Sequence, residues 1–140
     1  MLPSSSILSE VKITSFAVFL LDDDHDHVDL LGAILRPHFP GSTFWIFYDA
    51  RQALAAAAAA ENRPDVVISD LEMPGMSGHE FAKAMRSMCD AEQELLLVAS
   101  SGSSSALAYA SQQRFFNHFF LKPLDVKALV QLIKGQKAWS

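Results

Sequence analysis

"FAVFLLDDDHDHVDL", residues 16–30, sets the reading of the whole chain. Its first six residues, Phe16–Leu21, are all apolar, as a strand buried on both faces requires. Four carboxylates and two imidazoles then fill positions 22–27. Val28, Leu31, Ile34, Leu35 and Phe39 follow at helical spacing, and Pro37 is expected to end or distort that helix. The stretch is therefore a buried strand turning into a helix, with acids at the turn. Asp24 or Asp26 reads as the helix cap, and acids in a first turn favour the helix dipole. His25 and His27 stand two apart and would not share a face of a regular helix. A dedicated histidine–metal site is therefore not expected. Asp24, Asp26 and His27 are left outside any site, with His25 at most on its rim.

The same alternation runs down the chain. "TFWIFY" (43–48) is aromatic and β-branched, a second strand, and Arg51–Asn62 is an expected helix whose alanine-rich stretch packs closely. "DVVISD" (65–70) is a third strand. "MPGMSG" (73–78) is a loop, after which Ser77 is placed to cap a helix carrying Phe81, Met85 and Met88. "LLLVAS" (95–100) is a fourth strand, "SGSSS" (101–105) a flexible link, and Ala106–Gln113 a short helix. "HFFL" (118–121) is a fifth strand. Pro123 and Asp125 open a last helix with Val126, Leu129, Val130 and Ile133 on one face. Five strand–helix units imply a parallel sheet covered on both sides. In such sheets, sites form beyond the carboxyl ends of the strands.

Those ends carry a coherent set of groups. The first strand ends in Asp22 and Asp23, the third in Asp70 and the fourth in Ser100, while Lys122 follows the fifth. A terminal Asp is often only a cap; five polar groups at matching places suit metal-assisted phosphoryl transfer to a carboxylate. Mg²⁺ takes oxygen ligands, usually a few carboxylates with phosphate oxygens and water. Carboxylates can serve as nucleophiles, and catalysis of phosphoryl transfer is mainly positioning and neutralisation of charge.

In this ordered set, "LLDDD", "DVVISDLEMPGMSG", "LLLVASS" and "FFLKPLD", the sequence resembles the receiver domain of two-component response regulators, over roughly residues 14–135. The resemblance implies a single doubly wound α/β domain: a five-stranded parallel sheet with five helices in the flavodoxin-like strand order 2-1-3-4-5. It implies that Asp70 is the phosphoacceptor and Mg²⁺ the cofactor. Asp22, Asp23, Asp70 and the backbone carbonyl of Glu72 would be the protein's share of the metal shell. Ser100 and Phe119 take the places of the switch residues and Lys122 that of the family's lysine. Pro74 and Gly78 match residues that shape the loop after the acceptor. The implied partners are a histidine kinase or histidine phosphotransfer protein and a downstream effector. The implied role is signalling rather than enzymatic.

Composition agrees with that class. The chain has 140 residues, half of them hydrophobic, so one domain with a real core is expected, at 14–136 between tails at 1–13 and 137–140. A net charge of −5 without a basic run argues against direct nucleic-acid binding. The apolar stretches are too short to span a membrane, and the N-terminus lacks the basic region of a signal peptide. A lone cysteine, Cys89, read as an ordinary helix residue, suits a reducing cytoplasm. Two positions depart from the resemblance: Ala50, where an Asp-Gly pair is common, and Phe115, where a glycine is usual. The aromatic segment 115–120 reads as repacked core rather than a docking face. His38, His79 and His118 are expected to be structural or exposed. Two rival functions remain, a Mg²⁺-dependent aspartyl-phosphate phosphatase and a receiver-like interaction domain that works without phosphorylation. Neither explains the whole set of strand-end groups.

Overall fold

The computed structural model describes residues 15–59, 63–88 and 95–137. The expectations for the tail at 1–13, for Asn62, for Cys89 and for residues 138–140 lie outside them. The strands are β1 (Ala17–Leu21), β2 (Thr43–Phe47), β3 (Val66–Asp70), β4 (Leu96–Ser101) and β5 (His118–Leu121). The helices are α1 (His25–Leu35), α2 (Ala50–Ala58), α3 (Gly78–Ser87), α4 (Ser104–Gln113) and α5 (Val126–Gln136), with a short 3₁₀ turn at Arg36–His38. All four strand pairings are parallel, and the order across the sheet is β2-β1-β3-β4-β5.

Side-chain alternation along the central strands builds two separate cores. Val18, Leu20, Val66, Ile68, Leu96 and Val98 meet Val28, Leu31 and Leu35 of α1 and Leu129, Val130 and Ile133 of α5. Phe19, Leu21, Val67, Leu97 and Ala99 face the other way, onto α2, α3 and α4. The alanine helix α2 lies close on this second face because Ala53 and Ala57 are fully buried with only a methyl group between backbone and sheet. Burial on both sides explains why β1, β3 and β4 read as continuous apolar runs. β2 lies at the sheet edge and is only half covered, leaving Trp45 partly exposed.

Local chemistry sets the helix starts. Asp24, Asp49, Ser77, Ser103 and Asp125 each cap a helix through a side-chain oxygen that accepts a backbone N–H. Ser77 and Glu80 form a full capping box. Two expectations need correction. The second helix begins at Ala50, because Asp49 caps it there, and has ended by Ala59, whose backbone is extended. "SGSSS" is not a flexible link: Ser101 is the last residue of β4 and fully buried, Ser103 is a cap, and α4 starts at Ser104. The left-handed residue after α4 is Arg114, at φ 63°, next to the Phe115 position where the resemblance has a glycine. Phe116 is buried, and Phe115, Phe119 and Phe120 are half-buried against the two cores, so the aromatic segment is core packing.

Candidate functional site

The parallel register brings the carboxyl ends of β1, β3, β4 and β5 to one edge. Asp70 closes β3 directly beside Ser100 of β4, and Leu71 donates its N–H to the Ser100 carbonyl at 2.9 Å. β5 ends at Leu121, paired with Ser101, and the Lys122 N–H reaches the Ser101 carbonyl at 2.8 Å. That contact aims the Lys122 side chain across the edge toward β3 and β1. The Lys122–Pro123 peptide is cis.

Lys122 Nζ lies 3.0 Å from Asp22 Oδ2 and 3.3 Å from Asp70 Oδ2, so one ammonium is shared by two buried carboxylates. The remaining oxygens are also engaged. The Asp24 N–H donates to Asp22 Oδ1 at 3.0 Å, and the Glu72 N–H donates to Asp70 Oδ1 at 3.1 Å. Asp23 is exposed at the rim. Asp22, Asp23 and Asp70 each offer a carboxylate oxygen, and these oxygens all lie within 4.8 Å of one another. Three hard oxygen donors of one charge fit a small divalent cation such as Mg²⁺. The sequence-read residues Asp22, Asp23, Asp70, Ser100 and Lys122 are thus brought together.

Burial acts on both inner carboxylates, with opposite net results. It pushes the Asp70 carboxyl up; the nearby Asp22 charge adds to this, and the Glu72 N–H and Lys122 only partly offset it. Asp70 therefore holds its proton to a higher pH than an ordinary aspartate. Burial also raises Asp22, but the Asp24 N–H, Lys122 and His27 outweigh it and leave that carboxyl below its ordinary value. Lys122 is desolvated, which favours the neutral amine, yet the two carboxylates prevail and raise its pKa.

The site also contains a residue that the sequence reading set aside. His27 Nδ1 lies 2.9 Å from Asp22 Oδ2. His27 is in the first turn of α1, where the Cα–Cβ bond tilts toward the helix N-terminus and so back toward the end of β1. His25 points elsewhere, stacked on Tyr48 with ring centroids 3.6 Å apart. The expectation that the two imidazoles occupy different faces holds, but excluding His27 does not. Its signal was positional: a polar residue in the first turn after a strand-end acid.

The surrounding loop is shaped by small residues. A Cβ on Gly78 would come within 2.7 Å of Leu71 Cδ2 and 3.1 Å of the Leu71 Cα. Gly75, just after Pro74, has φ +93°, open to glycine and strained for other residues. Glu72 turns its carboxylate to the hydroxyl of Ser101, which also accepts the Ser103 N–H at 2.9 Å. Phe119 is half-buried, edge-on to Phe116 at 6.2 Å, and so sits inward in this structure.

Comparison with known proteins agrees with this edge geometry. The family model of the response regulator receiver domain matches residues 18–134, and the chain belongs to that family. It is 32% identical over 115 residues to the C4-dicarboxylate transport transcriptional regulatory protein DctD of Rhizobium meliloti, covering 82% of this chain and 24% of that protein. It is 30% identical over 126 residues to the transcriptional regulatory protein PrrA of Mycobacterium tuberculosis, covering 90% of this chain and 52% of that one. The chain thus spans about half, or less, of the length of these curated relatives. Among solved structures, the signal receiver domain of a DNA binding response regulator (merR) from Colwellia psychrerythraea superposes with a TM-score of 0.72 at 26% identity, over 86% of this chain and 96% of the other. No helix among the described residues is long and apolar enough to cross a membrane.

Proposed function

We propose that this receiver domain takes a phosphoryl group from the phosphohistidine of a histidine kinase or phosphotransfer protein onto Asp70. The observation that carries the proposal is the sharing of Lys122 between Asp22 and Asp70, at 3.0 and 3.3 Å. A carboxylate oxygen of Asp70 attacks phosphorus, the P–N bond of the donor breaks, and the donor imidazole leaves with the bonding pair. Asp70 is held for this by the Glu72 N–H on one oxygen, which leaves the other beside Lys122. As the P–N bond breaks, Lys122 turns from Asp22 to a phosphoryl oxygen, where its charge is most needed. Ser100, next to Asp70 in the sheet, supplies a hydroxyl donor to another. Asp22, Asp23, Asp70 and the Glu72 carbonyl are the residues that would hold Mg²⁺. When bound, that ion offsets the negative charge of the phosphoryl group.

The phosphorylated domain acts on a partner through the face of α4, β5 and α5. Leu121 stands exposed at the end of β5, and that strand carries both Phe119 and the approach to Lys122. Residues 14–136 form the receiver unit, with its place of action in the cytoplasm. DctD and PrrA are named as transcriptional regulators; an effector coupled to transcription is the corresponding reading for this chain. The test is incubation with acetyl phosphate and Mg²⁺ followed by intact mass. A labile phosphoryl adduct is expected on wild type and none on Asp70→Asn, whose amide is nearly isosteric but not a comparable nucleophile. A full adduct on the Asn variant would move the acceptor elsewhere, and rapid turnover of the phosphodonor with no accumulating adduct would favour the phosphatase.

A further inference from the structure

We infer that His27 is a positioning residue of the acidic pocket: its imidazole fixes the Asp22 carboxylate in the orientation that receives a divalent cation. The inference rests on the metal reading given above and extends it to a residue outside the strand-end set. An ionised carboxylate can only accept, so at this contact Nδ1 of His27 is the donor and Asp22 Oδ2 the acceptor. Asp22 is then held at both oxygens. The Asp24 N–H grips Oδ1 at 3.0 Å and the His27 ring grips Oδ2 at 2.9 Å.

Each carboxylate oxygen has room for two partners. Oδ2 spends its second place on Lys122 at 3.0 Å. When Lys122 turns away, repelled by an incoming cation or drawn to a phosphoryl oxygen, that place is vacated while the His27 contact remains. Asp22 keeps its rotation and presents a free lone pair to the cation. Without His27, Oδ2 has only Lys122 among the hydrogen bonds described, so the departure of the lysine would leave the carboxylate held at Oδ1 alone. Donors behind a metal ligand act in this way, and losing one commonly weakens metal binding by about ten- to a hundred-fold.

The contact is separable from the helix start. Asp24 caps α1 through the backbone N–H of His27, at 3.1 Å, and any residue at that position supplies that N–H. His27→Ala therefore removes the imidazole and leaves the cap. Asn places an amide nitrogen on its δ position, where Nδ1 of the imidazole stands, so His27→Asn restores a donor without the ring.

The experiment is calorimetric titration of Mg²⁺ into wild type, His27→Ala and His27→Asn, each paired with a melt in EDTA. Wild type is expected to bind Mg²⁺, with His27→Ala about tenfold weaker. His27→Asn should recover most of that loss, and all three should be fully folded in EDTA at the titration temperature, with His27→Ala melting somewhat lower for the hydrogen bond it loses. Equal affinity in wild type and His27→Ala would overturn the inference while leaving the metal reading intact. A loss in His27→Ala that the Asn variant does not recover would assign His27 a packing role and overturn it too. Wild type that takes up no Mg²⁺ would overturn the metal reading, and this inference with it.

Discussion

Replacing Lys122 with Met tests the electrostatic core of the site most directly. The thioether keeps the length and apolar stem of the lysine and removes only the ammonium. Two buried carboxylates, Asp22 and Asp70, then face each other without the cation that lay 3.0 and 3.3 Å from them. Removing one partner from a buried ion pair costs about 3–5 kcal/mol. The Lys122 side chain is 24% exposed, so water screens part of the interaction, and about 2–3 kcal/mol is a fitting expectation. For a domain of this size that lowers the metal-free melting temperature by roughly 6–10 °C. Mg²⁺ should then recover more stability in Lys122→Met than in wild type, because the ion supplies positive charge that the variant lacks. Phosphorylation from acetyl phosphate should fall despite the tighter ion.

The pH dependence of the variant follows from the directions of the shifts. Asp70 has a folded pKa above its unfolded value, so the stability tied to its protonated form is full below the unfolded value. It is lost as pH rises through the folded one. Asp22 runs the other way: its contribution is present above the unfolded pKa and lost as pH falls through the depressed folded one. Losing Lys122 raises both carboxyls, so the deficit of Lys122→Met against wild type should shrink as pH is lowered into the carboxylate range. The assay is differential scanning calorimetry at several pH values, in EDTA and in saturating Mg²⁺. A variant that melts with wild type in EDTA, and gains no more than wild type from Mg²⁺, would refute the shared-lysine reasoning.

Gly78→Ala drives a methyl group against Leu71, whose backbone lies 3.1 Å from the new carbon, so a loss of about 1–3 kcal/mol is expected in urea unfolding. Ser101→Ala removes a fully buried hydroxyl bonded to the Glu72 carboxylate and to the Ser103 N–H. It should cost about 1–3 kcal/mol, and amide exchange should quicken at the start of α4. Arg114→Gly relieves a left-handed backbone at φ 63° and should raise stability by up to about 1 kcal/mol, less whatever the glycine adds to the freedom of the unfolded chain. A lower melting temperature in that variant would show that the arginine side chain contributes more than its backbone costs.

How much could be read from residues alone follows the same physics. β1, β3 and β4 were legible because a strand covered on both faces has no polar side, and their last residues were legible because the apolar run stops there. β2 was readable from its aromatic and β-branched content, while its place at the edge shows in its half-exposed pattern. The serines after β4 misled: small polar residues resemble a loop, but hydroxyls also cap helices and fill buried hydrogen bonds, and three-dimensional neighbours decide which. The left-handed residue that ends α4, Arg114, was not read from the sequence, because nothing in its residue type marks that backbone conformation. His27 was lost for a similar reason. Spacing along a helix says which residues share a face, but not what the preceding strand places opposite that face.

The groups at this edge reach one another through main chain as well as side chain, and that bears on how a change at Asp70 would spread. The Leu71 N–H is fixed to the Ser100 carbonyl at 2.9 Å, and the Lys122 N–H to the Ser101 carbonyl at 2.8 Å. Ser100 also lies opposite Phe120 in the sheet, and Ser101 is hydrogen-bonded to Glu72, two residues after Asp70. A displacement of the β3 end therefore meets β4 at two adjacent residues, and β4 in turn meets β5. α1 is attached to the pocket mainly through the Asp22 carboxylate, by the Asp24 N–H and His27. A closely packed interior moves between discrete arrangements rather than deforming smoothly. On that reasoning, a phosphoryl group placed on Asp70 would act on two surfaces by different routes. It would reach β5 and its flanking helices through strand hydrogen bonds, and α1 through a carboxylate whose hold depends on whether Lys122 stays or leaves.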